Sequence, residues 1–286
     1  SKDIYEAKYG KVHPDYISIL HNLAILYKKL ANFEKAELLF IESKTLREQA
    51  LGKEHVDYSS SLNSLANLYM KLGDFEKAEQ LYLESKNIRA IVLGKEHPEY
   101  ATSLDNLAIL YKKEGKFEKA EQLYVESKTI RENVLGKEHP EYASSLNNLA
   151  ILYEESSNYK EAERFYLESK VIREKILGKE HLDYISILKN LASFYEVQKR
   201  FIESNQLLME FYTLEQVMLA KGTTFLSERE LNNYISIFKQ NGDDLGKYLI
   251  SRYSNNTPFG ILASIGYNHV LFHKGFILAS SIKLNV

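Results

Sequence analysis

The chain has 286 residues, of which 44% are apolar, and this is enough to bury the core of one or two domains. Its 37 basic and 39 acidic residues give a formal net charge of −2, so no long-range positive field exists to recruit nucleic acid or an anionic membrane. The absence of cysteine excludes disulfides, thiolate metal ligands and a cysteine nucleophile within these residues. Because no signal-peptide pattern and no apolar run of spanning length is found, we expect a soluble, cytoplasmic protein with no nucleic-acid and no membrane partner.

An internal repeat with a period of 42 residues organises the chain to about residue 220. Glycine, histidine and tyrosine each recur five times at this step: Gly10, Gly52, Gly94, Gly136, Gly178; His13, His55, His97, His139, His181; Tyr16, Tyr58, Tyr100, Tyr142, Tyr184. Leu-Ala pairs follow the same period, as in Leu107-Ala108 and Leu149-Ala150. Self-similarity at this period indicates a stack of supersecondary units.

The third unit shows the helical pattern inside each repeat. Apolar residues recur at steps of three and four: Tyr100, Leu104, Leu107, Ala108 and Tyr111. This spacing predicts a first helix over about residues 98 to 114, and a second stripe predicts a helix from Phe117 to Leu135. Gly136 is predicted to close that helix in the left-handed conformation, and Pro140 to open the next one.

Each unit is therefore predicted to be a hairpin of two helices. One hairpin cannot cover its own apolar face, so successive hairpins are expected to stack into an all-α solenoid. The inner wall of such a stack is a long groove.

Two motifs carry a family resemblance. Leu-x-x-Leu-Ala-x-x-Tyr at Leu104 to Tyr111, followed by Phe-x-x-Ala-Glu-x-x-Tyr at Phe117 to Tyr124, resembles the tetratricopeptide repeat (TPR). The 42-residue period and the Leu-Gly-Lys-Glu-His-Pro segment at Leu135 to Pro140 are similar to the kinesin-light-chain subtype. The resemblance implies a right-handed superhelix of helical hairpins. The hairpin glycine of the family is kept at two units and replaced at three: Gly73, Gly115; Ala31, Ser157, Lys199.

The repeat register predicts the domain organisation. Residues 1–10 align with the end of a second helix, so we expect them to belong to a truncated preceding repeat. Residues 11–222 are expected to form five units, the last of them degenerate, and residues 223–286 a helical capping or linker segment. This last segment resembles the region that precedes the caspase-like CHAT peptidase domain in bacterial TPR-CHAT proteins, which implies a protease domain in cis beyond this chain.

The recurring histidines and arginines are interpreted as structural. Histidines that repeat every 42 residues are too far apart to share one metal ion, so we expect each to cap or pack a helix start. Arginines recurring in the second helices are expected to form surface ion pairs with nearby acids, a phosphate-binding ladder being the alternative: Arg47, Arg89, Arg131, Arg173. No catalytic constellation, cofactor site or metal site is predicted; His269 and His273, four residues apart, lack a third ligand.

The groove is the predicted binding site. In tetratricopeptide proteins the first helix of each unit lines the inner wall, which implies one row of residues at His21, Asn63, Asp105, Asn147 and Lys189, and a second row one turn on at Ile25, Asn67, Ile109, Ile151 and Ser193. Amides there would hydrogen-bond an extended peptide, and isoleucines would bury its side chains.

Charge along the groove is predicted to orient the ligand. Lysines mark the early units and glutamates the later ones: Lys28, Lys29, Lys71, Lys112, Lys113; Glu154, Glu155, Glu196. The alternative is that these are only solvated helix ends. The sequence thus predicts a non-enzymatic scaffold that binds a protein or an extended peptide, as the recognition or regulatory arm of a TPR-CHAT protease protein or as a stand-alone adaptor of the kinesin-light-chain kind.

Overall fold

A computed structural model of the chain describes residue 10 and residues 12–222, with side chains described to residue 218. Within these ranges it contains ten α-helices and no strand: α1 (Pro14–Lys29), α2 (Phe33–Leu51), α3 (Val56–Leu72), α4 (Phe75–Val92), α5 (Pro98–Lys113), α6 (Phe117–Leu135), α7 (Pro140–Glu155), α8 (Tyr159–Leu177), α9 (Leu182–Val197) and α10 (Phe201–Gly222). The predicted all-α fold is confirmed, and the two helices predicted for the third unit are α5 and α6.

Three predictions fall outside the described residues. These are the second helix of a preceding repeat over residues 1–10, of which only residue 10 is described, the helical segment over residues 223–286, and the spacing of His269 and His273.

The chain divides into two compact units, one ending at Asn158 and one beginning at Tyr159. In the first unit the two helices of a hairpin pack together as α1 with α2, α3 with α4 and α5 with α6. The second helix of each hairpin also packs on the first helix of the next one, as α2 on α3, α4 on α5 and α6 on α7. In the second unit α9 packs against both α8 and α10.

The core of the first unit repeats with the sequence. One cluster joins Ala24, Ala36, Phe40, Leu65 and Leu68, and the next joins Ala66, Ala78, Tyr82, Leu107 and Leu110. The alanines are fully buried, which lets the helices approach closely, while the larger side chains fill the space between hairpins. Burying each such Leu or Phe side chain stabilises the fold by roughly 1.5–3 kcal/mol.

The recurring histidines begin the first helices. In each case Nδ1 accepts a hydrogen bond from the backbone N–H two residues on, at 3.1–3.3 Å: His13, His55, His97, His139, His181. The prediction that they cap helix starts is therefore confirmed. Nδ1 is thereby occupied by the cap, and no group of three or more metal-ligating side chains occurs among the described residues.

The hairpin turns use a left-handed residue whether or not glycine is there. Gly73 and Gly115 have φ of 84° and 74°, and Ala31, Ser157 and Lys199 have φ of 57°, 64° and 60°. A side chain in this region costs roughly 1–2 kcal/mol. The five turns thus share one backbone conformation, and the three turns with a non-glycine residue at positive φ are strained.

The helix-closing glycines differ from the prediction. Gly136 has a positive φ of 84°, but its ψ is 164°, so it is extended rather than left-handed helical. A positive φ with an extended ψ is essentially restricted to glycine, so this backbone conformation explains why glycine occupies position 136. The left-handed helical conformation expected from the sequence was wrong.

Candidate binding face and the arginine network behind it

Three of the four recurring arginines of the second helices are buried between helices, and Arg47 is half-buried. Arg89, Arg131 and Arg173 are only 6%, 5% and 6% exposed. Arg89 donates to Ser59 Oγ in the first helix of its own hairpin at 3.1 Å, and to Ser103 Oγ in the next hairpin at 3.1 Å. The expected structural role and the pairing with nearby acids are confirmed, since Arg89 lies 3.7 Å from Glu99 and Arg131 3.3 Å from Glu141, but the guanidinium groups are buried and do not lie at the surface.

Two residues predicted to line the groove belong to this network. Asn63 and Asp105 are 7% and 8% exposed. With its carbonyl oxygen turned towards Arg89, Asn63 accepts from the guanidinium at 3.2–3.3 Å, and its amide nitrogen donates to Ser85 Oγ at 3.0 Å. The Asp105 carboxylate accepts from Arg131 at 2.7 Å. Their predicted role as hydrogen-bonding groups for a peptide is therefore corrected, since the fold itself uses them.

Burial makes Asp105 a costly anion. Removal of this carboxyl group from water raises its pKa above the ordinary value of 3.8, although the neighbouring Arg131 pulls the pKa down. A buried carboxylate is retained only where such a cation faces it. The ionised pair of Asp105 and Arg131 therefore forms at the cost of the hydration that both groups would have in water.

His21 takes the same position in the first hairpin and behaves differently. Its Nε2 lies 3.2 Å from Ser64 Oγ, and its ring meets Phe40 edge-on. Burial, then the charges of Arg47 and Lys28, lower its pKa from 6.5 to about 4. His21 is thus neutral at physiological pH. Asn147 and Lys189, the remaining members of the row, are half-buried.

The second predicted row stays at the surface of the first unit. Ile25, Asn67, Ile109 and Ile151 are all half-buried, one in each of α1, α3, α5 and α7. Asn67 accepts a hydrogen bond from Tyr82 Oη at 2.7 Å. We call the surface that carries these four residues the first-helix face. Ser193, predicted for the same row, is an exposed residue of α9.

Neighbouring first helices are bridged directly across this face. His21 in α1 contacts Ser64 in α3, and Lys112 in α5 forms an ion pair with Glu155 in α7. Both bridges join residues 43 positions apart, so the first helices lie side by side in a constant register. Lys112, predicted as a ligand contact, is already neutralised by Glu155.

The remaining charged groove residues are Lys28 and Glu154, both half-buried. Burial, then the neighbouring Lys71 and Lys29, lower the pKa of Lys28 below its usual value of 10.5. Three of the early lysines, Lys28, Lys29 and Lys71, thus lie near one another in the first two hairpins, and their role in orienting a ligand stays a prediction. The run of early lysines ends in the third hairpin, where Lys112 meets Glu155.

Two recurring contacts were missed from the sequence. A tyrosine near the end of a first helix donates to the glutamate of the Phe-x-x-Ala-Glu motif 32 residues earlier, at 2.5–2.8 Å: Tyr69 to Glu37, Tyr111 to Glu79, Tyr153 to Glu121, Tyr195 to Glu163. Serines of the first helices accept from the arginine of the preceding hairpin, as Ser61 does from Arg47. All of these residues repeat every 42 positions, and that shared period was the signal that could have paired them.

Comparison with known proteins agrees with this geometry. Two sequence models described as tetratricopeptide repeat match the chain, one over residues 57–133 and 110–170 and the other over residues 17–57. No curated protein matches significantly. Among the described helices, none has both the length and the apolar composition that crossing a membrane requires.

Solved structures share the fold at low sequence identity. A point variant of nearly identical TPR-like repeats from a candidate kinesin light chain of Podosopora anserina is 27% identical, with a TM-score of 0.59, over 71% of this chain and 96% of that chain. BtubC (BKLC) from P. vanneervenii is 26% identical, with a TM-score of 0.61, over 76% of this chain and 86% of that one. A Rap protein complexed with Competence and Sporulation Factor, 12% identical with a TM-score of 0.56 over 91% and 76% of the two chains, shares the fold alone. Since the repeat models together match residues 17–170, more than half of the chain, the protein belongs to the tetratricopeptide-repeat family.

Proposed function

We propose that this chain is a protein-binding scaffold whose first-helix face receives an extended segment of a partner. Tetratricopeptide-repeat proteins bind proteins or peptides, and their fold is generally a non-catalytic scaffold. The observation that carries the proposal is the row of Ile25, Asn67, Ile109 and Ile151. These residues lie one in each of α1, α3, α5 and α7 and remain half-buried at a surface, whereas Asn63 and Asp105 of the row beside them are buried against Arg89 and Arg131.

The spacing of this row suits an extended chain. Packed helices lie about 8–10 Å apart, and an extended peptide rises about 3.3 Å per residue. About three residues of peptide therefore pass each first helix, so every third side chain can meet one residue of the row. The isoleucines would bury apolar side chains, and the amide of Asn67 would hydrogen-bond the peptide backbone.

The test compares two isoleucines that differ in place. Ile109 lies on the first-helix face, and Ile91 is a 74% exposed residue of the second helix α4. Peptides are selected from a phage-displayed random library on the wild-type chain, and their affinities are measured by fluorescence anisotropy. We expect Ile109→Arg to weaken binding at least about tenfold, because it places a charge against an apolar contact. Ile91→Arg should bind as the parent does.

Thermal unfolding followed by circular dichroism checks that both variants remain folded. Equal losses of peptide affinity in Ile109→Arg and Ile91→Arg would place the binding surface elsewhere. Failure to enrich any peptide on the wild-type chain would contradict the proposal itself.

The two larger roles expected from the sequence belong to this proposal as well. A kinesin-light-chain-like adaptor is supported by the two relatives at 26–27% identity, whose repeats align over most of their length. The recognition arm of a CHAT protease is supported by the sequence of residues 223–286. The open reading frame after Val286 decides between them: a following stretch with a His and Cys pair supports the protease arm, and a stop codon supports the adaptor.

A further inference from the structure

The register of the first helices makes two sites on the first-helix face equivalent. Lys112 in α5 and Glu155 in α7 are 43 residues apart and form an ion pair. Lys28 in α1 and Lys71 in α3 are also 43 residues apart and take the same places two hairpins earlier. The same backbone arrangement therefore holds a cation and an anion at one site, and two cations at the other.

Among the residues that the structure describes, no ion pair neutralises Lys28 or Lys71. Lys28 is half-buried, and the structure gives neither lysine an ion pair within the described part of the chain. Lys29, on the same helix, adds to the positive charge near Lys28, and the neighbouring His21 is neutral and supplies no anion. In keeping with this, burial, then Lys71 and Lys29, lower the pKa of Lys28. A half-buried cation such as Lys28, beside a second cation and without a counter-ion, is costly, and an anion from outside would relieve that cost.

Apolar surface adjoins the cations. Lys71 Nζ lies 5.3 Å from the centre of the Phe33 ring. Phe33 also lines an open pocket of about 450 Å³ together with Leu30, Ala31 and Asn32. A small inorganic anion would leave this surface in water, whereas a polypeptide can cover it with a side chain beside its charge.

We propose that a carboxylate from an acidic side chain of the bound polypeptide lies between Lys28 and Lys71, in the place that the Glu155 carboxylate takes beside Lys112. This inference rests on the proposed binding at the first-helix face and names the chemistry that the face selects. It also gives the ligand a direction, because the acidic residue belongs at α1 and α3, and apolar residues follow along Ile109 and Ile151.

The experiment uses the peptides that the phage selection yields, each synthesised as selected and with every Asp and Glu replaced by Asn and Gln. In the Lys71→Glu variant, the new carboxylate should pair with Lys28 as Glu155 pairs with Lys112, so the melting temperature should not fall. Affinity for the acidic form should drop at least about tenfold, because a charge-assisted contact is replaced by repulsion. Affinity for the amide form should stay close to that of the parent.

Two further variants serve as controls. Lys113→Glu makes the same change in charge at the position equivalent to Lys71 in the third hairpin, where Met70 replaces Lys28, and should bind the acidic peptide nearly as the parent does. Lys71→Arg keeps the cation and should retain affinity.

Each outcome bears on the inference. Selected peptides without acidic residues, or equal affinities of the acidic and amide forms, would overturn it, and the proposed function would stand if Ile109→Arg still abolishes binding. Equal losses in Lys71→Glu and Lys113→Glu would also overturn it, since they indicate general attraction. Inorganic phosphate that stabilises the parent as much as the acidic peptide does would overturn the choice of a polypeptide carboxylate. If no peptide binds the parent, the proposed function has failed first.

Discussion

The first and third hairpins, α1–α2 and α5–α6, share a backbone conformation but differ in whether their cations face an anion. Where the third hairpin places Asp105 against Arg131, the first places a neutral His21 beside Arg47. Where Lys112 of the third is paired with a glutamate, Lys28 of the first faces another lysine.

This difference shows that recurring and varying residues of the repeat have different roles. The recurring residues build hairpins that pack alike, whereas the varying residues decide which cations are neutralised from within. Arg131 of the third hairpin is paired with Asp105 of the same hairpin and Lys112 with Glu155 of the next one, whereas the first hairpin leaves positive charge at the surface. Affinity for an anionic ligand is therefore expected to concentrate in the first two hairpins.

The largest expected effect is on the buried ion pair of the third hairpin. Arg131→Met leaves the Asp105 carboxylate buried without its cation and should lower the free energy of unfolding by about 3–5 kcal/mol. The corresponding Arg47→Met variant faces a neutral His21 and loses only the hydrogen bonds to Ser61 and the Asp57 carbonyl, which are worth about 1–3 kcal/mol. Urea unfolding measures both, and equal losses would show that the charge of Asp105 does not distinguish the hairpins.

A smaller effect is expected at the hairpin turns, where glycine is kept in the third hairpin and lost in the first. Ala31→Gly should relieve the positive φ of 57° and stabilise the chain by about 1 kcal/mol, offset in part by the greater freedom of glycine in the unfolded chain. Gly115→Ala should destabilise by a similar amount, because no atom crowds its Cβ position and only the φ of 74° opposes the methyl group. Thermal unfolding of the two variants should show shifts of opposite sign, and shifts of the same sign would refute the strain at Ala31.

The repeat pattern was sufficient for the backbone of these hairpins and insufficient for the site. Helix bounds and histidine caps follow from neighbours along the chain, so spacing and residue type predicted them. The burial of Asn63 and Asp105 depends on how each first helix is rotated about its axis against an arginine 26 residues later. No local pattern in the sequence encodes that rotation. The prediction therefore put Asn63 and Asp105 on the groove wall, although both side chains are buried. Ile109 and Ile151 are half-buried, but their role as peptide contacts stays a prediction.

A still smaller effect is expected for Asp105→Asn, which gives the third hairpin the amide that the second has in Asn63. Because burial raises the pKa of Asp105 above 3.8, the folded chain holds this proton more tightly than the unfolded chain does. Ionisation of Asp105 therefore costs stability as the pH rises through its folded pKa. At neutral pH the Asn variant should be more stable than the parent by up to about 1 kcal/mol, and the gain should shrink towards pH 3.8. Urea unfolding at both pH values tests this, and a variant less stable at neutral pH would contradict it.

The histidine of the first hairpin should respond to acid in the opposite sense. The pKa of His21 is lowered from 6.5 to about 4, so between these values the unfolded chain binds a proton that the folded chain does not. The stability contributed by neutral His21 is present above pH 6.5 and is lost as the pH falls through about 4. His21→Gln keeps a polar partner for Ser64 but does not titrate, so its melting temperature should fall less steeply than that of the parent over this range. Comparing the variant with the parent cancels the titration of the remaining groups, and parallel curves would show that burial, Arg47 and Lys28 do not hold His21 neutral. Acid should thus weaken the first hairpin through His21 and favour the third through Asp105, because one buried site excludes a proton that the other attracts.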